Sequence, residues 1–245
     1  MNQRLNLKMD LPSDRETVLA MFDRVRREFP AMDKFRRLTS ELVLESEFVD
    51  ATQRWIALRK TSIRSGVVNP PTTADAYALH KLALEVAPYF LSISPLDVDY
   101  LELNYGFDLL AHGNHDQIVF DALYASSPLG KMLELPGARP MECQPIIGMA
   151  LSDAADLQAF VEVKTRTPGG AGSPAWRGEP ATGPDAQAEP ISVFLTLRRC
   201  GPVRDVAELV TTLADLSKRG EQLLKSRVVP SMLVPIRDSI ASNNA

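Results

Sequence analysis

Apolar and polar positions alternate from the start of the chain. Leu5, Leu7, Met9 and Leu11 share one side of residues 4–11, which predicts a half-buried strand. Pro12 ends it, and Ser13 with Glu16 matches a capping box that starts a helix running to about Phe29. Within that helix Val18, Phe22, Val25 and Phe29 recur at helical spacing and mark its buried stripe, and Pro30 marks its end. Period two returns over residues 38–48, with Leu38, Ser40, Leu42, Leu44, Ser46 and Phe48 on one face and Glu41, Glu45 and Glu47 on the other. Residues 54–64 predict the next strand, in which Trp55, Ala57, Thr61 and Ile63 interleave with basic residues. The two strands are expected to pair antiparallel across 49–53, setting glutamates opposite Arg59, Lys60 or Arg64.

Asn69-Pro70-Pro71 is a hard break, after which Thr72 or Thr73 caps a second helix to about Leu91. Tyr77, Leu79, Leu82, Ala83, Val86 and Phe90 supply its core side, and Pro88 predicts an irregular last turn. A long strand comes next over 98–110, with Leu101, Leu103, Tyr105, Phe107 and Leu109 on one face. A third helix is expected from 115 to 126, resuming toward 134, then strands near 141–151, 158–166 and 191–199. The last long helix is expected over 203–225, with Pro230 and Pro235 breaking or kinking the residues after it. Residues 167–190 hold five prolines and five glycines and read as a flexible loop between two strands.

The resulting order is β-α-β-β-α-β-α-β-β-β-α. Hairpin-like pairs without a regular βαβ alternation predict an α+β fold, a mainly antiparallel sheet of about seven strands covered by helices, in a single domain over 1–245. The halves 1–96 and 97–245 resemble each other in element order but show no residue-level repeat. If helices cover one sheet face only, the other faces solvent or a partner.

Composition narrows the class. The 245 residues are 45% apolar and 24% charged, which suffices for a real core and excludes a disordered or fibrous chain. No run approaches the roughly 18 apolar residues of a membrane span, and the alternating N-terminus lacks a signal-peptide core, so a cytoplasmic location is expected. Cys143 and Cys200, with no C-x-x-C spacing, read as reduced thiols. The net charge of −4 is uneven: +3 over 1–64, −10 over 65–163 and +3 over 164–245. Such polarity favours association through complementary charge, unless folding interleaves the segments. The most basic stretch, between residues 24 and 64, also carries six acids, so no nucleic-acid partner is expected.

Candidate chemistry is sparse. The histidines are His80, His112 and His115. Gly113-Asn114-His115-Asp116 resembles one motif of the calcineurin-like metallophosphoesterases, in which the Asn and His help bind a two-metal centre that activates water. The resemblance spans four residues, and the chain contains neither an Asp-x-His nor a Gly-Asp-x-x-Asp segment. His112, His115 and Asp116 are the candidate metal ligands, for which a site of another type needs three or more donors. A structural reading accounts for the same residues: Gly113 ends a strand, Asn114 caps a helix, Gln117 completes a capping box and Asp116 suits the helix dipole.

Gly170-Ala171-Gly172 looks like a dinucleotide turn, but Pro174, Gly178 and Pro180 leave no helix after it. There is no Gly-x-Ser-x-Gly elbow and no Walker A loop. Trp176, in the Pro/Gly-rich loop, is a candidate partner anchor. The expectation is therefore a non-catalytic binding or assembly protein without a cofactor, which self-associates or takes a protein partner. The alternative is a metal-dependent hydrolase using His112, His115 and Asp116.

Overall fold

A computed structural model describes residues 1–167 and 188–243. Nine strands are β1 (Asn2–Leu7), β2 (Lys34–Arg37), β3 (Glu41–Glu45), β4 (Gln53–Arg59), β5 (Ser62–Val68), β6 (Val98–Ala111), β7 (Ile146–Ala150), β8 (Leu157–Lys164) and β9 (Glu189–Cys200). Among the described residues five α-helices are α1 (Arg15–Glu28), α2 (Thr73–Phe90), α3 (His115–Leu123), α4 (Glu208–Leu223) and α5 (Val234–Asn243). The fold is α+β, as the alternation predicts, with one antiparallel sheet in the order β2-β3-β4-β5-β1-β6-β9-β8-β7.

The sheet has nine strands, two more than expected: β2 lies before the segment 38–48, outside the expected strands, and the segment 54–64 divides into β4 and β5. Residues 38–48 and 54–64 do not each form one long strand. A turn closed by the Leu38 amide on the Glu41 carbonyl (2.9 Å) separates β2 from β3, and Lys60-Thr61 separates β4 from β5. Strand β2, Lys-Phe-Arg-Arg, is exposed along its whole length and so carries no alternation to read. Leu38 and Phe48 fall outside strands and remain exposed. The expected β3–β4 hairpin is present, and Glu41 lies opposite Arg59 at 2.7 Å.

The helices start and stop for local reasons. Asp14, not Ser13, caps α1, accepting from the Thr17 amide at 2.9 Å. Thr72 and Asp75 form a full capping box on α2, which continues through the buried Pro88 to Phe90. Pro230 does not break the chain. It sits in a π-helical stretch, Leu224–Leu233, that joins α4 to α5, and the Val234 amide reaches back to the Val229 carbonyl.

By contacts the chain falls into two compact units, each assembled from separate stretches. The first comprises Met1–Tyr105, Ala150–Ala159 and Thr196–Arg219, the second Gly106–Met149, Phe160–Leu195 and Gly220–Ala245.

In the first unit β1 lies antiparallel between β5 and β6, with Leu5 opposite both Ile63 and Leu101. All three are buried, as are Val18, Met21, Phe22 and Val25 of α1 and Leu79, Ala83 and Val86 of α2. The opposite face of this part of the sheet carries arginines on aromatic rings. Arg64 lies over Trp55 at 5.4 Å from the ring centroid, and Arg198 lies over Tyr100 at 4.5 Å while pairing with Glu102 at 2.7 Å. Trp55 rests directly on Gly66, its partner in register; a Cβ there would stand 2.3 Å from the indole. In the second unit α3 packs on α5, tied by the Ser239 hydroxyl donating to the Ile118 carbonyl at 3.1 Å.

Gly66 can therefore be tested as a packing requirement. Gly66→Ala should lower stability by roughly 1–3 kcal/mol, as overpacking does, in urea unfolding. Adding Trp55→Ala should remove most of that loss, because the two substitutions share one contact.

Candidate functional site

The Gly-Asn-His-Asp segment turns strand β6 into helix α3. Gly113 has φ +81°, a left-handed conformation suited to glycine, where the strand gives way. Asn114 caps α3 by accepting from the Gln117 amide at 3.0 Å, as expected. The Gln117 side chain does not return to the cap; it donates to Asp121 at 2.8 Å.

Asp116 is buried and fully occupied. It accepts from the Cys143 amide (2.8 Å), the Thr165 hydroxyl (2.6 Å) and the Thr167 hydroxyl (3.1 Å). Thr167 in turn accepts from the His115 amide at 3.1 Å. Asp116 thus ties the first turn of α3 to the segments around 143 and 165–167, and the helix dipole favours its charge.

His115 is fully buried, and its Nε2 lies 3.1 Å from the Ala111 carbonyl. Nε2–H therefore donates, which leaves Nδ1 as the lone-pair nitrogen, without a hydrogen-bond partner among the described residues. Burial lowers its pKa, opposed by the hydrogen bond to Ala111 and by Asp116. His112 is exposed. Among the described residues no three His, Cys, Asp or Glu side chains are grouped so as to hold a metal ion.

The remaining sequence candidates lie elsewhere. Cys143 is buried, and desolvation, reinforced by Asp116, pushes its thiol up to about 11, so it stays protonated and unreactive. Cys200 is half-buried and also unbridged. Trp176, with most of the Pro/Gly-rich segment, lies outside the described residues.

His80 belongs to the first unit, in a polar cluster that periodicity does not disclose. Its Nδ1 lies 2.8 Å from the Ser65 hydroxyl, which also lies 2.8 Å from Gln3 Oε1. All three residues are buried. With Ser65 donating to Gln3, the imidazole donates from Nδ1–H and is neutral. Burial, with a smaller push from the chain's ammonium terminus, lowers its pKa to about 3. The available signal was a polar residue in the apolar phase of each strand: Gln3 ahead of Leu5 and Leu7, and Ser65 between Ile63 and Val67. Gln3 and Ser65 prove to be direct partners in register.

No protein-family model and no curated protein matches the chain. Among solved structures it is similar to the di-domain ARO/CYC StfQ from the steffimycin biosynthetic pathway, at 9% identity over 100% of this chain and 99% of that one, with a TM-score of 0.21. A likeness of that degree says nothing of fold or function here.

Replacing Asp116 with Ala leaves three donors short of an acceptor and should cost roughly 2–4 kcal/mol in chemical unfolding. His112→Ala, on the surface, should stay within about 0.5 kcal/mol of the parent. His80 sets a pH dependence. Its folded pKa lies below the unfolded value, so the unfolded chain takes up the proton first. Stability is complete above about 6.5 and declines as pH falls from there toward 3, at up to about 1.4 kcal/mol per pH unit from this group. Urea midpoints between pH 7.5 and 5 should show the decline, and His80→Gln should flatten it.

Proposed function

We propose that the protein is a non-catalytic binding and assembly module that self-associates by pairing strand β7 with β7 of a second copy. The observation that carries this reading is the contrast between the two edges of the sheet. Edge strand β2 is Lys34-Phe35-Arg36-Arg37, and rows of like charge deter edge-to-edge pairing. Edge strand β7 is Ile146-Ile147-Gly148-Met149-Ala150, exposed throughout and uncharged, and no charge occurs from Gln144 to Ser152.

An uncharged, apolar edge is complementary to itself. Antiparallel pairing about a twofold axis at Gly148 sets Ile147 opposite Met149 of the second copy and Ile146 opposite Ala150. That is an isologous contact that closes at two copies. The second support is chemical. Asp116 and His80 are engaged in structural hydrogen bonds, His115 is buried and the Cys143 thiol is protonated. None of these groups is poised as a nucleophile or base.

Native mass spectrometry of freshly purified protein should show a dimer with no excess mass. The double variant Ile147→Lys, Met149→Lys should be monomeric at the same concentration and folded, with an unfolding midpoint that no longer depends on protein concentration. A parent that stays monomeric at micromolar concentration, or a lysine variant that stays dimeric, overturns the edge pairing. A retained divalent metal lost on His112→Ala, His115→Ala substitution would overturn the non-catalytic reading in favour of a metal-dependent hydrolase.

A further inference from the structure

A cleft of about 620 Å³ opens in the first unit where the buried side of the β2–β4 meander emerges from beneath α1. Register places Phe35, Leu44, Ile56, Leu42, Leu58 and Arg37 on that one side. Burial falls off along it. Leu44 and Ile56 are 1% and 0% exposed, whereas Phe35 reaches 48% and Leu38, in the adjoining turn, 42%. Helix α1 covers the first part of the surface with Phe22, whose ring lies 5.8 Å from that of Phe35, and then leaves the rest as a concave apolar floor. Val18 and Leu19 of α1 form the facing wall.

The rim is cationic, and half of its charge is uncommitted. Arg59 pairs with Glu41 at 2.7 Å and Lys60 with Asp10 at 3.2 Å, and both acids line the same cleft. Arg15 and Arg37 also line it, and among the described residues neither has an ion-pair partner. Two arginines free of ion pairs among the described residues therefore line a mainly apolar cavity whose volume falls within the usual range for small-molecule sites. Their planar fork matches a carboxylate, with two parallel N–H donors to its two oxygens.

We infer that this cleft binds an amphipathic carboxylate, with the chain on Val18, Leu19, Phe35, Leu42 and Leu58 and the head group between Arg15 and Arg37. The charge of the rim selects anions over cations, and the floor selects an aliphatic body over a small hydrophilic acid. No bond is made or broken; the site holds its ligand. It lies among residues other than those of β7, so it stands independently of the assembly reading.

The test is calorimetric titration of the full chain with decanoate, decylammonium and 1-decanol at low ionic strength. One decanoate should bind per chain, about tenfold or more tighter than decylammonium, as expected where two charge-assisted contacts are gained by one and turned to repulsion for the other. Arg15→Ala, Arg37→Ala should weaken decanoate about tenfold and leave decanol unchanged, because only the head-group contacts are lost. Leu38→Asp, at an exposed turn position, should weaken both without shifting the unfolding midpoint. Ile147→Lys, Met149→Lys should bind decanoate like the parent. Equal affinity for decanoate and decylammonium overturns the inference, as does an arginine variant that binds like the parent. So does uptake of many decanoates without saturation, or binding abolished by the β7 variant.

Discussion

The pairing of β1 with both β5 and β6 is the constraint on which the other elements depend. Leu5 faces Ile63 on one side and Leu101 on the other, and all three are excluded from solvent. The six-residue strand is too short to stand alone, so its amides and carbonyls must be satisfied from both sides. It joins two meanders. Its own meander runs β5-β4-β3-β2 outward from it, and β6 is followed by β9-β8-β7. In each half the first strand lies beside the last strand of its meander, so the element order that repeats in the sequence repeats in the sheet as well.

Polar chemistry within this frame serves cohesion. The Gln3–Ser65–His80 cluster crosses from β1 to β5 to α2, and Asp116 gathers three donors around the start of α3. Desolvation keeps His80 neutral and the Cys143 thiol protonated, while three hydrogen bonds offset the burial of the Asp116 side chain. Two surface features stand apart from these networks: the uncharged edge strand β7, and an apolar cleft lined by two arginines that have no ion-pair partner among the described residues.

Much of the fold was legible. The apolar phases of β1, β3 and β6, the stripe of α1, the Thr72 start of α2 and the Asn114 start of α3 all derive from period and capping chemistry, and the structure contains them. The phase expected for β4 is reversed: Trp55 and Ala57 lie on the face of Arg64, and Ile56 and Leu58 face the core. The errors are local and physical. Asp14 outcompetes Ser13 as a cap by accepting from the Thr17 amide. Strand β2 escapes notice because an edge strand exposed on both faces has no alternation. Pro230 is carried inside a π-helical stretch instead of ending the helical path.

The candidate sites were less legible, since they depend on residues far apart in the chain. That His115 and Asp116 begin a helix is written in Gly113-Asn114; that Asp116 is saturated by residues 143, 165 and 167 is not, because no short-range pattern relates those positions. The sequence alone determined the periodicities, the caps, the class of the fold and the absence of charge from 144 to 152, because these are set by neighbours in the chain. Only the tertiary structure decided that this uncharged stretch is an edge, that Ser65 meets His80, and that Arg15 and Arg37 line one cleft. Strand order and helix placement bring those groups together, and they arise from burying the whole apolar surface at once rather than from any local segment.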